Sequence, residues 1–349
     1  MWNELVLCCW KEYFDTMGRR IYGMDIGTNG IKIYKKGSGI VLAEKNVIAV
    51  EEKKKVLAVG DSAYEMLGKA PDRIEVSMPV RNGVIADIGN MQLLLNKILE
   101  RIGKGKIRNA QYLVAVPTDI TKVEKKAFYD LVSQSNGKAK YVSVIDKPIA
   151  AAFGMDIDVT KSRGVMTVDM GADTTEIAIM SLGGIVLSKI IPTGGNKLDA
   201  SIKVAVKKKH NLFIGDKTAE RIKINLASAV EPEYETMRVF GRDVVTGLPQ
   251  ETEVDSFTVY ESVKEHLHAI VSAIRIILER TPPEISSDII DSGVYITGGS
   301  AKIKNLTKLV EAETTLGVNI ANDSENSVVK GLGVMIENRK LMSLASVIK

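Results

Sequence analysis

"IYGMDIGTNGIKIY" (residues 21–34) and "GVMTVDMGADTTEIAIM" (residues 164–180) carry one pattern twice. Each reads as an apolar strand, a turn opening on Asp-X-Gly, and a second apolar strand. The first turn holds Asp25-Ile26-Gly27 and the second Asp169-Met170-Gly171, about half the chain apart. That repetition predicts a duplicated domain. Elsewhere, apolar strands alternate with amphipathic helices, which is the α/β pattern. "VLAEKNVIAVEEKKKVLAVG" (41–60) gives short strands around a charged hairpin, and "DIGNMQLLLNKILERI" (87–102) a helix. "AQYLVAVP" (110–117) is a buried strand ended by Pro117, "TKVEKKAFYDLVSQS" (121–135) a helix, and "YVSVI" (141–145) a strand. After the second copy, "LDASIKVAVKKKHNLFIG" (198–215) and "DKTAERIKINLASA" (216–229) read as helices. Residues 236–259 are β-rich around the turn "TGLP", and "YESVKEHLHAIVSAIRIILERTPP" (260–283) is a long helix stopped by Pro282. "GVYITGGSAKIKNLTKLVEAE" (293–313) is strand, glycine turn, helix.

With 349 residues the chain has room for two ordinary domains. It is 45% hydrophobic and 26% charged, the profile of a globular protein, and only 5% aromatic, so its core must be aliphatic. The net charge of +4 comes from 47 basic and 43 acidic residues that are well mixed, which does not imply nucleic acid. No apolar run approaches the roughly 20 residues needed to span a bilayer. The two cysteines, Cys8 and Cys9, are adjacent, so no disulfide framework is expected and a cytoplasmic, reducing setting is.

The first 20 residues, "MWNELVLCCWKEYFDTMGRR", stand apart: they hold both Trp and both Cys. They are too short and too acidic for a signal peptide. As a helix they would put Trp2, Val6, Cys9, Tyr13 and Met17 on one face. Two readings stand for residues 1–16: an amphipathic membrane-surface helix, or a segment docked on the body or preceding a start at Met17.

Three glycine turns each follow a strand. Backbone N–H groups at such turns, and at a helix N-terminus behind them, bind phosphate oxygens. One such turn is weak evidence, because glycine hairpins are common; three together are specific. Two Asp-X-Gly hairpins could clamp a triphosphate from both sides, each Asp organising Mg²⁺ through water. "TGGS" (297–300) would then close the site over the nucleoside.

At this point the residues resemble the actin-fold ATPases, and within them the MreB family of bacterial actins. The resemblance runs from about Arg20 through nearly the whole chain. It is carried by "DIGTNGIKIYKKGSGIVLAEKNVIAV", "RNGVIADIG", "VPTDITKVEKKA", "VDMGADTTEIAIMSLGGIVLSKIIPTGGNKLDASI", "IGDKTAERIKINLAS", "TPPEISSDIIDSGVYITGGSAKIKNLTKLV" and "SVVKGLGVMIEN". "SLGGIV" before "GGNKLD", and "TAERIKI", are MreB-like rather than general to the fold.

The resemblance implies a duplicated actin-like α/β fold: two domains, each a core with a smaller inserted subdomain, and ATP with Mg²⁺ in the cleft between them. It divides the chain into an extension (1–16), domain I (17–161, insertion about 49–90), domain II (162–328, insertion about 198–261) and a segment returning to domain I (329–349). It implies filaments of this chain with itself, alone or joined by paralogues, lying on the anionic inner face of the membrane and acting in cell shape or motility. The first phosphate loop falls on Asp25, Gly27, Thr28, Asn29 and Gly30, and the second on Asp169, Gly171, Ala172, Asp173 and Thr174. Nucleoside contacts fall on Glu220, Arg221 and Lys223, and the last loop on Gly298, Gly299, Ser300 and Ala301. Asp25 and Asp169 would meet the metal through water.

The chain departs from the family at "VIDKPIAAAFG" (144–154). The family reads Ile-Glu-Glu-Pro there, and its second Glu, the catalytic carboxylate that polarises the attacking water, aligns with Lys147. A lysine near neutral pH has three donors and no acceptor, so it cannot take a proton from water. The second phosphate loop departs too. Where the family has Gly-Gly-Gly-Thr-Thr-Glu, this chain has Gly171-Ala172-Asp173-Thr174-Thr175-Glu176. Thr174, the family's other water-positioning residue, is retained. Opposite charges in one cleft predict that Lys147 and Asp173 pair and fill the water-activating site; independent drift is the other reading. In the first loop the family's Ala-Asn-Thr is Asn29-Gly30-Ile31, and Ile31 loses a hydroxyl. The expected activity is ATP binding with slow or absent hydrolysis, since losing a general base lowers rates about 10²–10⁴-fold. The alternative is a non-hydrolysing scaffold that co-assembles with an active paralogue.

The loop matching the family's apolar membrane loop, "GKGKIRN" (103–109), has three basic residues and only Ile107 as an apolar one, so it reads as a lipid-headgroup contact or a solvated loop. "VKKKH" (206–210) reads as the cationic end of a helix. His210, His266 and His268 have no cysteine nearby and make no zinc set. A sugar kinase would need a catalytic Asp over a bound hydroxyl, and a heat-shock chaperone a further substrate domain. A DNA-segregating actin lacks the MreB-like segments, and a nucleic-acid binder would need basic stripes interleaved with aromatics.

Overall fold

The computed structural model describes residues 20–51, 55–103, 107 and 109–347. The helix expected in residues 1–16 lies outside them. The first half runs β1 (Ile21–Ile26), β2 (Gly30–Lys35), β3 (Gly39–Lys45), β4 (Ile48–Glu51), β5 (Lys55–Val59), α1 (Asp61–Met66), β6 (Ile74–Ser77), β7 (Val80–Arg81), β8 (Val84–Ile85), α2 (Ile88–Gly103), β9 (Gln111–Val116), α3 (Lys122–Ser133), β10 (Tyr141–Asp146) and α4 (Lys147–Gly154). The second runs β11 (Val165–Met170), β12 (Thr175–Ser181), β13 (Gly184–Ile191), α5 (Gly195–His210), β14 (Leu212–Phe213), α6 (Asp216–Leu226), β15 (Thr236–Asp243), β16 (Pro249–Asp255), α7 (Ser256–Glu279), α8 (Pro283–Ser292), β17 (Val294–Thr297), α9 (Leu306–Thr314), β18 (Val318–Ile320) and α10 (Ser327–Glu337).

Two five-stranded sheets repeat one topology. Their orders are β3-β2-β1-β9-β10 and β13-β12-β11-β17-β18. In each, an antiparallel meander of three strands is continued by two parallel ones. The central strands explain the apolar runs that marked the repeat: β1 is buried throughout, with strands on both sides and helices on both faces. Register makes the duplication exact at the chemistry. Asp25 pairs with Lys32 on β2 and Ala115 on β9, and Asp169 with Glu176 on β12 and Thr297 on β17. Both aspartates therefore stand near the carboxyl end of a central strand, where open α/β sheets bind ligands.

A third core joins the halves. Ile21, Leu113, Ile149 and Phe153 of the first half cluster there with Met180 and α10 residues Leu332 and Met335. α4 and α10 cross backbone to backbone: a Cβ on Gly331 would lie 1.6 Å from the Ala150 carbonyl oxygen, and one on Gly154 1.8 Å from that of Ser327. Only glycine permits that approach. Smaller sheets, β5-β4-β6 and β14-β15-β16, extend from the two halves beyond the main sheets.

Several helix boundaries differ from the sequence reading. The helix expected over 198–215 is α5, which starts at Gly195 and stops at His210, because Asn211 turns left-handed (φ 51°) and releases the chain into β14. The long helix starts at Ser256, where Asp255 accepts a hydrogen bond from the Thr258 amide at 2.9 Å. It ends at Glu279, before Pro282, and α8 follows with Pro283 in its first turn. The cationic end of α5 is as expected, with Lys207, Lys208, Lys209 and His210 in its last turn.

Candidate functional site

The two hairpin loops face one another across the join of the halves, and they are built alike. The Gly27 amide donates to the Gly30 carbonyl at 2.9 Å, and the Gly171 amide to the Thr174 carbonyl at 2.9 Å. The third loop packs onto the second. Gly298 has φ +91°, and a Cβ there would lie 2.3 Å from the Met170 carbonyl oxygen and 2.5 Å from Asp169 Oδ1. Gly194, just before α5, is as tightly placed, with a Cβ position 2.6 Å from the Ala172 carbonyl oxygen. Together these segments enclose a cleft of about 580 Å³.

Asp25, Gly27, Thr28, Asn29 and Gly30 line one wall, and Asp169, Gly171, Ala172, Asp173 and Thr174 the other. Glu220 and Lys223, one turn apart on α6, and Gly298, Gly299 and Ser300 complete it, together with Lys147. Two expected residues do not reach the wall. Arg221 is exposed on α6, and Ala301 is buried in the core of the second half. Residues the sequence reading missed are Lys32, Lys45, Tyr64, Glu176 and Asn196. Lys45 lies 3.4 Å from Glu220 and donates to Asn29 Oδ1 at 3.3 Å; the Tyr64 hydroxyl donates to Glu220 Oε2 at 2.8 Å. Burial and the Glu220 carboxylate push the Tyr64 phenol above its ordinary range. The signal for Lys32 was present in strand alternation: flanked by buried Ile31 and Ile33, it takes the other face of β2, opposite Asp25.

Lys147 is the first residue of α4, immediately after β10, with Pro148 fixing the start of the helix. Its ammonium lies 3.1 Å from Asp25 Oδ1, and the two side chains are only 14% and 10% exposed. The contact is an ion pair rather than a well-aligned hydrogen bond. Burial alone would lower the Lys147 pKa. The carboxylates of Asp25, Asp169 and Glu176 outweigh it and hold the lysine above its ordinary value, so the ammonium stays charged. Burial raises Asp169, against the pull of Lys147 and Lys32. It also raises Glu176 to about 7, although that carboxylate accepts from both the amide and the hydroxyl of Thr118 at 2.7 Å.

The expected Lys147–Asp173 pair is not formed. Lys147 leaves the end of β10 on the first sheet, where Asp25 is its neighbour. Asp173 stands at the tip of the second loop and is satisfied elsewhere: Oδ2 accepts from the Asn82 amide at 2.8 Å, and Oδ1 from Asn196 Nδ2 at 2.7 Å. Asn82 and Gly83, both at positive φ, form the β7–β8 turn that reaches across to it. Asp173 thus ties the halves together at one end of the cleft, as Glu220 does at the other.

A divalent ion between Asp25 and Asp169 does not fit these residues. An ammonium already compensates Asp25, and a second cation beside it would be repelled in a buried setting. Among the described residues no group of three His, Cys, Asp or Glu side chains could ligate a metal ion directly. Lys147, charged and without an acceptor, cannot serve as a general base. The arrangement can hold polyphosphate between two glycine loops, with lysines beside it.

The MreB/Mbl protein family profile matches residues 19–344. The cell shape-determining protein Mbl of Bacillus subtilis (strain 168) is 40% identical over 325 residues, 92% of this chain and 97% of that protein. The cell shape-determining protein MreB of Escherichia coli (strain K12) is 37% identical over 322 residues, 90% of this chain and 92% of its own. The crystal structure of MreB5 of Spiroplasma citri bound to AMPPNP superposes with a TM-score of 0.87 at 32% identity, covering 93% of this chain and 98% of that one. A MamK double helical filament, at 20% identity and a TM-score of 0.78, shares the fold. No helix among the described residues is long and apolar enough to cross a membrane. By its profile, its relatives and its duplicated sheets, the chain belongs to the MreB/Mbl family of actin-like proteins.

Proposed function

We propose that this chain is an ATP-binding actin-like cytoskeletal protein that polymerises, acts in cell shape or motility at the inner membrane face, and hydrolyses ATP slowly or not at all. One observation carries the reading: the position of the family's catalytic glutamate holds a buried, charged lysine paired with Asp25, inside a cleft lined by both glycine phosphate loops. Support for the nucleotide comes from the Spiroplasma citri MreB5 structures bound to AMPPNP and to ADP, both at 32% identity. Support for the filament and for the cell-shape role is family membership. The paired state of Lys147 also favours the scaffold form of this reading, in which the bound nucleotide is structural and an active paralogue co-assembles. Thr174 remains at the cleft wall, so water positioning is retained while activation is lost.

At the membrane, Ile107 is turned into the core of the first half, which removes the one apolar residue from its loop. The basic residues of that loop and the segment 1–16 are then the candidates for contact with anionic lipid. Equilibrium binding of ATP, with phosphate release measured on the same preparation, tests the central reading. Binding with little release supports it, and rapid release refutes it. Co-sedimentation with anionic liposomes, with and without residues 1–16, tests the membrane.

A further inference from the structure

We propose that Lys147 is a built-in counter-cation, so that the cleft takes its nucleotide without a divalent metal ion. This deepens the nucleotide-binding reading and rests on it. Asp25 and Asp169 occupy matching positions on the two central strands, each beside a phosphate loop. Two carboxylates there would repel a polyphosphate unless positive charge stood between. In this chain the positive charge is covalent. The Lys147 ammonium lies 3.1 Å from Asp25 and is electrostatically coupled to Asp169 and Glu176 as well. Lys32, also on the cleft wall, acts on Asp169 from the neighbouring strand, with its ammonium bonded to the Glu325 carbonyl. Two ammonium groups carry the charge of one divalent ion. An ammonium has three donors, so Lys147 can keep Asp25 and still offer hydrogen to a phosphate oxygen. Lysine serves phosphate as a point charge in this way. Lys147 lines the cleft with its side chain only 14% exposed, so its charge is delivered at the phosphate site with little screening by solvent. A metal ion would have to displace it or stand beside it.

The test is equilibrium binding of a fluorescent ADP analogue to the full-length wild-type chain, in millimolar Mg²⁺ and in excess EDTA. The affinity should differ by less than about fivefold between the two, which is about 1 kcal/mol. A second readout is Mn²⁺ bound to the protein–ADP complex, followed by water-proton relaxation; it should be held no more tightly than by free ADP. An affinity loss above about fivefold in EDTA, or tighter Mn²⁺ binding in the complex, overturns the proposal. Failure to bind in either buffer removes the nucleotide reading itself. Lys147→Gln should acquire a dependence on Mg²⁺ that Lys147→Arg does not; a metal-independent Lys147→Gln assigns the effect elsewhere and refutes the role of Lys147. Should Lys147→Gln not fold, the wild-type and Lys147→Arg measurements decide the matter alone.

Discussion

Replacing Lys147 by methionine keeps the length of the side chain and removes its charge. Asp25, Asp169 and Glu176 are then left in a buried cluster without the cation they share. The Lys147–Asp25 pair is 14% and 10% exposed, so solvent does little to screen the loss. Breaking one partner out of a buried ion pair destabilises by about 3–5 kcal/mol. The loss should depend on pH in a definite sense. Glu176 is already raised from 4.5 to about 7 and Asp169 is raised as well; without the ammonium both rise further. The folded variant then binds more protons than the unfolded chain between about 4.5 and beyond 7, so its stability falls as pH rises through that window. Urea denaturation of wild type and Lys147→Met at pH 5.5 and pH 8, without nucleotide, reads both features. A deficit of about 3 kcal/mol or more at pH 8 that shrinks at pH 5.5 is expected. A deficit below about 1 kcal/mol at pH 8, or one that grows on acidification, refutes the buried-cluster argument.

Glu176→Gln removes an ionisation that burial disfavours while keeping an acceptor for Thr118, so the variant should gain stability over wild type at pH 8 but not at pH 4.5. The displacement from 4.5 to about 7 sets the gain at about 3 kcal/mol at most, read by the same denaturation. Gly331→Ala drives a methyl into the Ala150 carbonyl and should lower stability by about 3 kcal/mol or more, or separate α4 from α10, seen as a lower thermal midpoint. Tyr64→Phe breaks the bridge to Glu220 across the cleft, so ADP should leave about fivefold faster in a stopped-flow chase, the equivalent of about 1 kcal/mol.

The duplicated architecture was legible because it rests on backbone requirements that few residues meet. Asp-X-Gly after an apolar strand marks a tight turn and a strand end together, and its occurring twice sets β1–β2 against β11–β12 from sequence alone. The phosphate-loop residues that the resemblance implied at those turns all line the cleft. Pairing across the cleft was less legible. Charge complementarity pointed Lys147 at Asp173, but neither sequence nor spacing shows that the Asn82–Gly83 turn and Asn196 already satisfy Asp173. Lys147, the residue after β10, instead meets Asp25 of β1, and that follows only from the strand order β1-β9-β10, which brings the ends of both strands to one edge of the cleft. Tyr64 had no local signal, since it lies on a six-residue helix in an inserted segment and gains its role from packing against the other half. Arg221 was misplaced by one residue's turn of α6: Glu220 and Lys223 share the cleft face, and Arg221 points to solvent.

The central claim is that the cleft binds ATP but lacks the means to activate water. Single-turnover phosphate release from saturating radiolabelled ATP, normalised to nucleotide bound, tests it most directly, with an MreB protein carrying glutamate at the aligned position as reference. The account predicts full occupancy with release slower than the reference by about 10²-fold or more. Release at the rate of the reference, with Lys147 in place, would contradict it.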